Sequence, residues 1–589
     1  MVQKHNLGTF DYIIICLSLI ISAVIGIAAK YYGGKQKTAR EYLLAGKNMA
    51  KFPVIFSIVV TLVSAFSILA VPVEVYRFGI GIYICIFMIP IGMFLASVVL
   101  IPVYFQCGVS TVTEFLEMRY GNIIRYMVSV VFLIQMMSFI AIALYGAVLA
   151  LSAVTNLSLE MSIVSLGAVC ALYCSVGGLK AVLWADVFQA TLMFICVFSI
   201  YTTGIRDGGG ISKIYQQAKE GQRLVLFDFK WDLTRRYGFW VCLVHGTITG
   251  FAMYGTNQIQ VQRMLSLSTI DRAKSTLRIS TIPVMLTYLT CSSVGLLLYS
   301  IYFNCDPILN KEQTGLKKYD QIIPAYVVNT FHSIPGMTGL CIAGIFSASL
   351  STISSALNSA ATVTVIDFIK PFYRKGNISD FKIILMTKII SLIYGAIGIG
   401  LSFLFLKATS LQHLLQVLLS APQGVIFGVF LIGVLTRKVS DKSISVAVFL
   451  SYMIVAWLSI GSLTSKYSQT PLPLSASSCP YLGTNSSVVT PSCLNEANCT
   501  ASMISTKPPP KEIFFLYKIS FMWHNVLGLF LTLFFSAIAV LITGWRNNVV
   551  PIDSKCLSPV TKLWMKKTTE NKENNILSGF ETSEQTHQL

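Results

Sequence analysis

Charge is scarce in this chain: only 12% of its 589 residues are Asp, Glu, Lys or Arg, about half the share of an ordinary soluble domain. Acid is the scarcer sign, with 25 Asp and Glu against 44 Lys and Arg. With 54% hydrophobic residues, the composition excludes both a soluble globular protein and a disordered one. The six histidines and fourteen cysteines make no pair at zinc spacing, and there is neither a nucleotide-binding phosphate loop nor a nucleophile elbow. No enzyme is expected, no ATP-driven pumping, and no organic cofactor. A gradient-driven transporter or a channel remains.

What the chain has is apolar length. A bilayer core takes about 20 apolar residues per helix, and thirteen runs qualify, near 12–30, 53–75, 80–105, 124–154, 159–176, 179–204, 238–258, 279–303, 336–366, 383–406, 411–435, 444–464 and 519–545. These runs are continuous, whereas barrel strands are about ten residues long and alternate. The expected fold class is all-α integral membrane, with thirteen transmembrane helices. The first run is too long for a signal-peptide core and no small-residue cleavage pattern follows it.

Between the first two runs lie Lys30, Lys35, Lys37, Arg40, Lys47 and Lys51, with Glu41 the one acid. Basic loops stay inside, so the N-terminus is expected outside and, after an odd number of spans, the C-terminus in the cytosol. Loops carrying Arg263, Arg272, Lys274 and Arg278, then Lys370, Arg374, Lys375 and Lys382, then Arg437, Lys438 and Lys442 also fall inside. This explains the net charge of +19 without nucleic acid. The polar loop 465–518 falls outside with two glycosylation sequons, at Asn485 and Asn498, whereas the sequon at Asn377 is cytosolic and stays unmodified. Cys305, Cys479, Cys493 and Cys499 share the outer side, where disulfides are permitted, and spacing leaves their pairing open.

A few polar residues break the apolar rule. Asp186 stands about 10 Å into its run at 1.5 Å per residue, either as a functional acid or as an interfacial one paired with Lys180. In the hydroxyl-rich stretch 347–359, Ala348, Ser351, Thr352 and Ser355 share one helix face. That face reads either as oxygen ligands for a hard cation or as small residues that let helices approach. The run 53–75 contains Ser64, Ser67 and Pro72 and is flanked by Glu74, so a broken helix with free carbonyls is expected there. His245 and His413, the latter with Gln412 and Gln416, lie inside runs and face either a solute path or a neighbouring helix. Arg263 is read into a cytosolic loop, and no intramembrane arginine offers itself as a counter-ion.

The stretch LYCSVGGLKAVLWADVFQ at 172–189 resembles the signature of the sodium:solute symporter family. So do VPVEVYRFG at 71–79, YGTNQIQVQR at 254–263, and the serine run through Asn358 and Ser359 ending in DFIKP at 367–371. The likeness runs from about residue 10 to about 543 and is greatest to the branch of multivitamin, monocarboxylate and iodide transporters. It implies two inverted five-helix repeats with thirteen helices and an outside N-terminus. The organisation that follows is a first helix and basic loop at 1–52, a first repeat at 53–204, an extracellular loop at 205–237 and a second repeat at 238–435. The last two helices occupy 436–545, and a cytosolic tail 546–589.

Carried over by resemblance, a main sodium site would use carbonyls of Val59, Leu62 and Ala348 with the hydroxyls of Ser351 and Thr352. A second would use Asp186, Ser354 and Ser355. Solute would meet Ser64, Ser67, Tyr254, Gln258 and His413, while Gly250, Phe139 and Ala185 depart from the branch's pattern. The implied function is sodium-coupled import of a small organic anion at the plasma membrane, with sodium as the coupling ion. Iodide-type anion symport, or a sodium sensor or channel-like protein without transport, are the alternatives.

Overall fold

A computed structural model describes residues 7–31, 38–62, 64–155, 158–373, 378–407, 411–465, 467, 469–476, 479, 513–543, 550–551 and 554–564. Among them no strand occurs, and helices carry the architecture. Those that matter here are α1 (Thr9–Tyr31), α2 (Lys51–Leu62), α3 (Ala65–Phe78), α4 (Ile82–Val99), α5 (Ile101–Cys107), α6 (Val112–Arg119), α7 (Asn122–Val154), α8 (Leu159–Asp207), α9 (Phe239–Gly255), α10 (Gln258–Leu265), α11 (Ile270–Ile301), α12 (Met337–Val363), α13 (Asp380–Leu404), α14 (Leu411–Leu435), α15 (Asp441–Thr464) and α16 (Met522–Thr543).

Ten helices among the described residues are long and apolar enough to cross a membrane, or up to eleven if a bent pair counts as one. Three of the thirteen expected runs do not qualify unaided. The run 53–75 splits into α2 and α3, because Ser64 is extended (φ −77°, ψ 177°) at the start of the new helix, its backbone carbonyl accepting from the Ser67 amide at 2.8 Å. Pro72, by contrast, stays inside α3. The run 238–258 yields the 17-residue α9, and then breaks at Thr256 and Asn257, whose Oδ1 accepts from the Ile259 amide at 2.9 Å to start α10. The runs 159–176 and 179–204 follow each other in α8 as two helices separated at Gly178, whose φ 60°, ψ 176° is not helical, and the first is short, its apolar helix covering Leu159–Ala171. A Cβ there would stand 2.8 Å from the Tyr42 ring, so the kink needs glycine twice over, for its backbone and for its neighbour.

Small residues let these helices touch backbone to backbone, as membrane packing favours. A Cβ on Gly250 of α9 would meet the Ile89 carbonyl of α4 at 2.3 Å, and one on Gly344 of α12 the Leu192 carbonyl of α8 at 2.8 Å. Asp11 of α1 accepts from the Gly339 amide at 2.7 Å, satisfying an open donor in the first turn of α12.

Each end of the bundle is tied by a buried carboxylate. At one end Glu74 of α3 accepts from Arg236 Nε and Nη2 at 2.7 and 2.9 Å and from the Tyr237 hydroxyl at 2.7 Å. Cys305 and Cys479 are disulfide-bonded at this end, which pairs two of the four cysteines expected outside. Cys493, Cys499, Asn485 and Asn498 lie outside the described residues. At the other end Asp367, in a π-helical turn that follows α12, accepts from Arg125 Nη2 at 2.8 Å, Thr113 Oγ1 at 2.5 Å and Ser129 Oγ at 2.6 Å.

The close α4–α9 approach is testable. Gly250→Ala should destabilise the protein by about 1–3 kcal/mol through overpacking, lowering the melting temperature in detergent. Gly400→Ala, with nothing within 4 Å of its new Cβ, should leave it level or slightly raised. Equal melting of the two variants would refute the contact.

Candidate functional site

A helix that stops leaves its last carbonyls without amide partners, and in α2 those belong to the final turn ending at Leu62. The face of α12 that carries hydroxyls is brought against this open end: Thr352 Oγ1 donates within reach of both the Thr61 carbonyl and the Ala348 carbonyl, each at 3.1 Å. Ser351 Oγ donates to the Ala348 carbonyl at 3.0 Å. Val59, Ala348, Ser351 and Thr352 are all buried, and Leu62 ends the helix they face. Of the residues expected for a main sodium site, Ala348, Ser351 and Thr352 share hydrogen bonds on α12, and Thr352 meets the end of α2 at the Thr61 carbonyl rather than at Val59 or Leu62; carbonyl and hydroxyl oxygens of this kind suit a hard cation.

Asp186 is fully buried on α8. Its Oδ2 accepts from Ser57 Oγ at 2.5 Å and from Arg263 Nη2 at 3.3 Å, while Oδ1 is buried with no partner. The same guanidinium donates to Ser57 Oγ and Ser355 Oγ at 2.6 Å each, to the Ile259 carbonyl at 2.7 Å and to Thr61 Oγ1. Ser354 turns back to the Ser351 carbonyl at 3.1 Å. Asp186 and Ser355 are therefore joined through an arginine.

That arginine corrects the sequence reading, which placed Arg263 in a cytosolic loop and found no arginine within the bundle. Arg263 is 1% exposed because the chain makes a second short helix after the Asn257 break, and every residue of α10 is buried. Its polar residues reach different elements. Gln262 donates to the Leu43 carbonyl at 2.6 Å and accepts from Ser359 at 3.0 Å. Gln258 accepts from the Val112 amide at 2.8 Å and donates to the Ser110 carbonyl at 3.3 Å. The sequence signal available for Arg263 was the density of Gln258, Gln260 and Gln262 before it, too polar for a span and too amide-rich for an ordinary basic loop.

The expected solute contacts are dispersed more than the ion ligands. Ser64 and Ser67 sit buried at the start of α3, and Ser67 hydrogen-bonds Tyr288 of α11, a residue that sequence reasoning missed. The Tyr254 hydroxyl, both side-chain polar atoms of Gln260 and both of Gln189 are buried without partners. Polar groups left so in a native protein call for an ion, a solute or water. His413 has its side chain outside the described ones. His245 is occupied, its Nδ1 2.9 Å from the Met522 carbonyl, which favours the interhelical reading. Toward the Glu74 end, a cavity of about 520 Å³ is lined by Phe78, Lys230, Arg235, Arg236 and Asp228 among others.

Residues 42–448 match the model of the sodium:solute symporter family. The chain belongs to that family. It is 34% identical to the Xenopus laevis sodium-coupled monocarboxylate transporter 1, over 93% of this chain and 88% of that protein. It is 30% identical to the human sodium/iodide cotransporter, over 93% and 86%. A solved Na⁺-coupled sialic acid symporter, in a substrate-bound outward-open state, has the same fold with a TM-score of 0.72 over 92% of this chain and all of its own, at 20% identity. This family member is accordingly a multi-pass membrane protein with sodium as its coupling ion, and its relatives are transporters rather than enzymes.

The ion pair at the centre of this symporter has a measurable cost if halved. Removing one partner of a buried pair strands the other, at about 3–5 kcal/mol. Asp186→Asn and Arg263→Gln should each lower the melting temperature, and the double variant should fall less than the sum of the two. Additive losses would show that the pair does not interact.

Proposed function

We propose that this symporter imports a small organic anion, a monocarboxylate or a carboxylate vitamin such as biotin or pantothenate, with sodium across the plasma membrane. The observation that carries the ion half of this reading is the Thr352 hydroxyl seated on the open end of α2 at 3.1 Å. Sodium would bind there between carbonyls of Val59, Leu62 and Ala348 and the hydroxyls of Ser351 and Thr352. A hydroxyl can keep its proton on a carbonyl while offering a lone pair to a cation, so the present hydrogen bonds need only turn, not break. A second ion would approach Asp186 through Oδ1, the oxygen that Ser57 and Arg263 leave free, and to gain Ser354 and Ser355 as ligands it would have to draw them from the Ser351 carbonyl and from Arg263.

Sodium binds first in this scheme. Its ligands lie on both sides of the gap between α2 and α12, so its binding orders the start of α3, where Ser64 and Ser67 stand, and the solute then meets a preformed pocket. That is linkage between two bound species. Ser64, Ser67, Tyr254, Gln258 and His413 bear no carboxylate, which favours an anion held by neutral donors and helix ends. Each positive charge carried inward across 100 mV contributes about 2.3 kcal/mol to accumulation. Thirteen spans in two inverted repeats, with the Glu74 end outside and the Asp367 end inside, would alternate access to this centre.

The test is uptake of labelled lactate, nicotinate, biotin, pantothenate and iodide by cells expressing the protein, in sodium or in choline. Sodium-dependent uptake of one organic anion is expected, and Ser351→Ala with Thr352→Ala should raise the sodium needed for half-maximal uptake several-fold. Unchanged sodium dependence in that variant would remove the proposed ion site, uptake of iodide alone would favour the inorganic-anion reading, and no uptake despite surface expression would remove transport. For the orientation, glycosidase should shift the mass of the full chain, and Asn485→Gln with Asn498→Gln should abolish the shift. A persisting shift would overturn the placing of the 465–518 loop.

A further inference from the structure

The tail after α16 returns to the bundle. The Val550 amide donates to the Arg437 carbonyl at 3.0 Å while Arg437 Nε donates to the Val550 carbonyl at 2.6 Å. Farther along, the Ser558 amide donates to the Val434 carbonyl at 2.9 Å, and Cys556, Leu557 and Ser558 are buried. This docking carries one cysteine to another. Cys107, the last residue of α5, donates from Sγ to the Lys555 carbonyl at 3.3 Å and lies 4.0 Å, sulfur to sulfur, from Cys556.

Two sulfurs at that distance are in contact and about 2 Å from a bond. Cys107 is only partly buried and is followed by Gly108, around whose Cβ position nothing lies within 4 Å, so a small oxidant has a way in. Cys196 and Cys341, by contrast, also hydrogen-bond each other but are fully enclosed in the bundle. The environment favours reaction at Cys556: its hydrogen bond from Cys107 draws the thiol down to about 6 despite burial, with Ser554 and the Arg119 guanidinium acting in the same direction. A thiolate is the nucleophilic form.

We propose that Cys107 and Cys556 are a redox-responsive dithiol on the cytosolic face, converted by peroxide to a disulfide that staples the tail to the end of α5. It rests on the orientation proposed above, since thiols are kept reduced in the cytosol and not outside. The Cys556 thiolate attacks a peroxide oxygen, the O–O bond breaks, and hydroxide leaves and takes a proton as water. Cys107 sulfur then displaces the hydroxyl of the sulfenic acid, forming the S–S bond and releasing the second water. Two thiols lose two electrons and two protons, and one hydrogen peroxide becomes two waters. The staple acts on a helix that matters: Tyr104 of α5 donates its hydroxyl to the Gly255 carbonyl at 2.6 Å, the last residue before the α9–α10 break.

Full-length protein in cells is exposed briefly to hydrogen peroxide, alkylated, digested and searched by mass spectrometry for a linked peptide pair containing Cys107 and Cys556. The pair should rise at least about fivefold over untreated cells, return to baseline with a thiol reductant, and be absent from Cys107→Ser and Cys556→Ser. Peroxide-treated parent protein in which Cys556 is unmodified or sulfinylated and no linked pair forms would overturn the dithiol, whatever the variants do. A membrane-impermeant maleimide applied to intact cells separates the two premises. Label at Cys107 or Cys556 from outside would overturn the orientation itself and the cytosolic assignment with it; no such label, with the linked pair present, supports both.

Discussion

Within a bilayer a charge or an open backbone group has no water to turn to and must be satisfied by protein. The centre of this protein is built under that constraint. One guanidinium, Arg263, is enclosed by α2, α8, α10 and α12 and satisfied by Asp186, Ser57, Thr61, Ser355 and the Ile259 carbonyl. The broken end of α2 is satisfied in turn by Thr352. Helix breaks are costly in lipid, so finding two of them beside the same buried ion pair means that the polar centre and the breaks are one arrangement. Each supplies what the other lacks: open carbonyls on one side, hydroxyls and charge on the other.

The two ends of the bundle repeat this logic. Glu74 gathers Arg236 and Tyr237 at one end, and Asp367 gathers Arg125, Thr113 and Ser129 at the other. Each tie joins a helix flanking the polar centre, α3 or the turn after α12, to elements outside it. Buried pairs of this kind add little net stability against an apolar substitute, yet cost much when half removed. They are suited to holding an arrangement that must be either made or unmade. The disulfide between Cys305 and Cys479 closes the Glu74 end covalently, whereas the thiols of Cys107 and Cys556 merely touch at the other.

Membership of the sodium:solute symporter family brings sodium as the coupling ion but leaves the solute to local detail. The relatives named by sequence similarity carry monocarboxylates or iodide according to their descriptions, so one scaffold accommodates chemically different anions. In this chain Gln258 is engaged by the 110–112 segment, whereas the Tyr254 hydroxyl and Gln260 are free. These unpartnered groups are the ones with hydrogen bonds still to gain.

Much of this was legible in the residues because membrane physics is local. Long apolar runs declare helices, and the serines of the run 53–75 mark a break that falls at Ser64, whereas the break at Asn257 and the turn at Gly178 came only from the structure. The shared face of Ala348, Ser351, Thr352 and Ser355 follows from helical periodicity, and Asp186 stands out because an acid in a span needs a reason. What the sequence could not say is which group answers that acid. Arg263 is 77 residues away in the chain, beside a basic loop it resembles in charge but not in burial, and only the packing of α10 into the bundle takes its guanidinium out of water and sets it against Asp186. The pairing of Cys305 with Cys479, the contact of Cys107 with Cys556, and the engagement of Gln258 are decisions of the same kind. Helix, face and break depend on neighbours in sequence; partnership depends on distance in space, and the tertiary fold alone sets that.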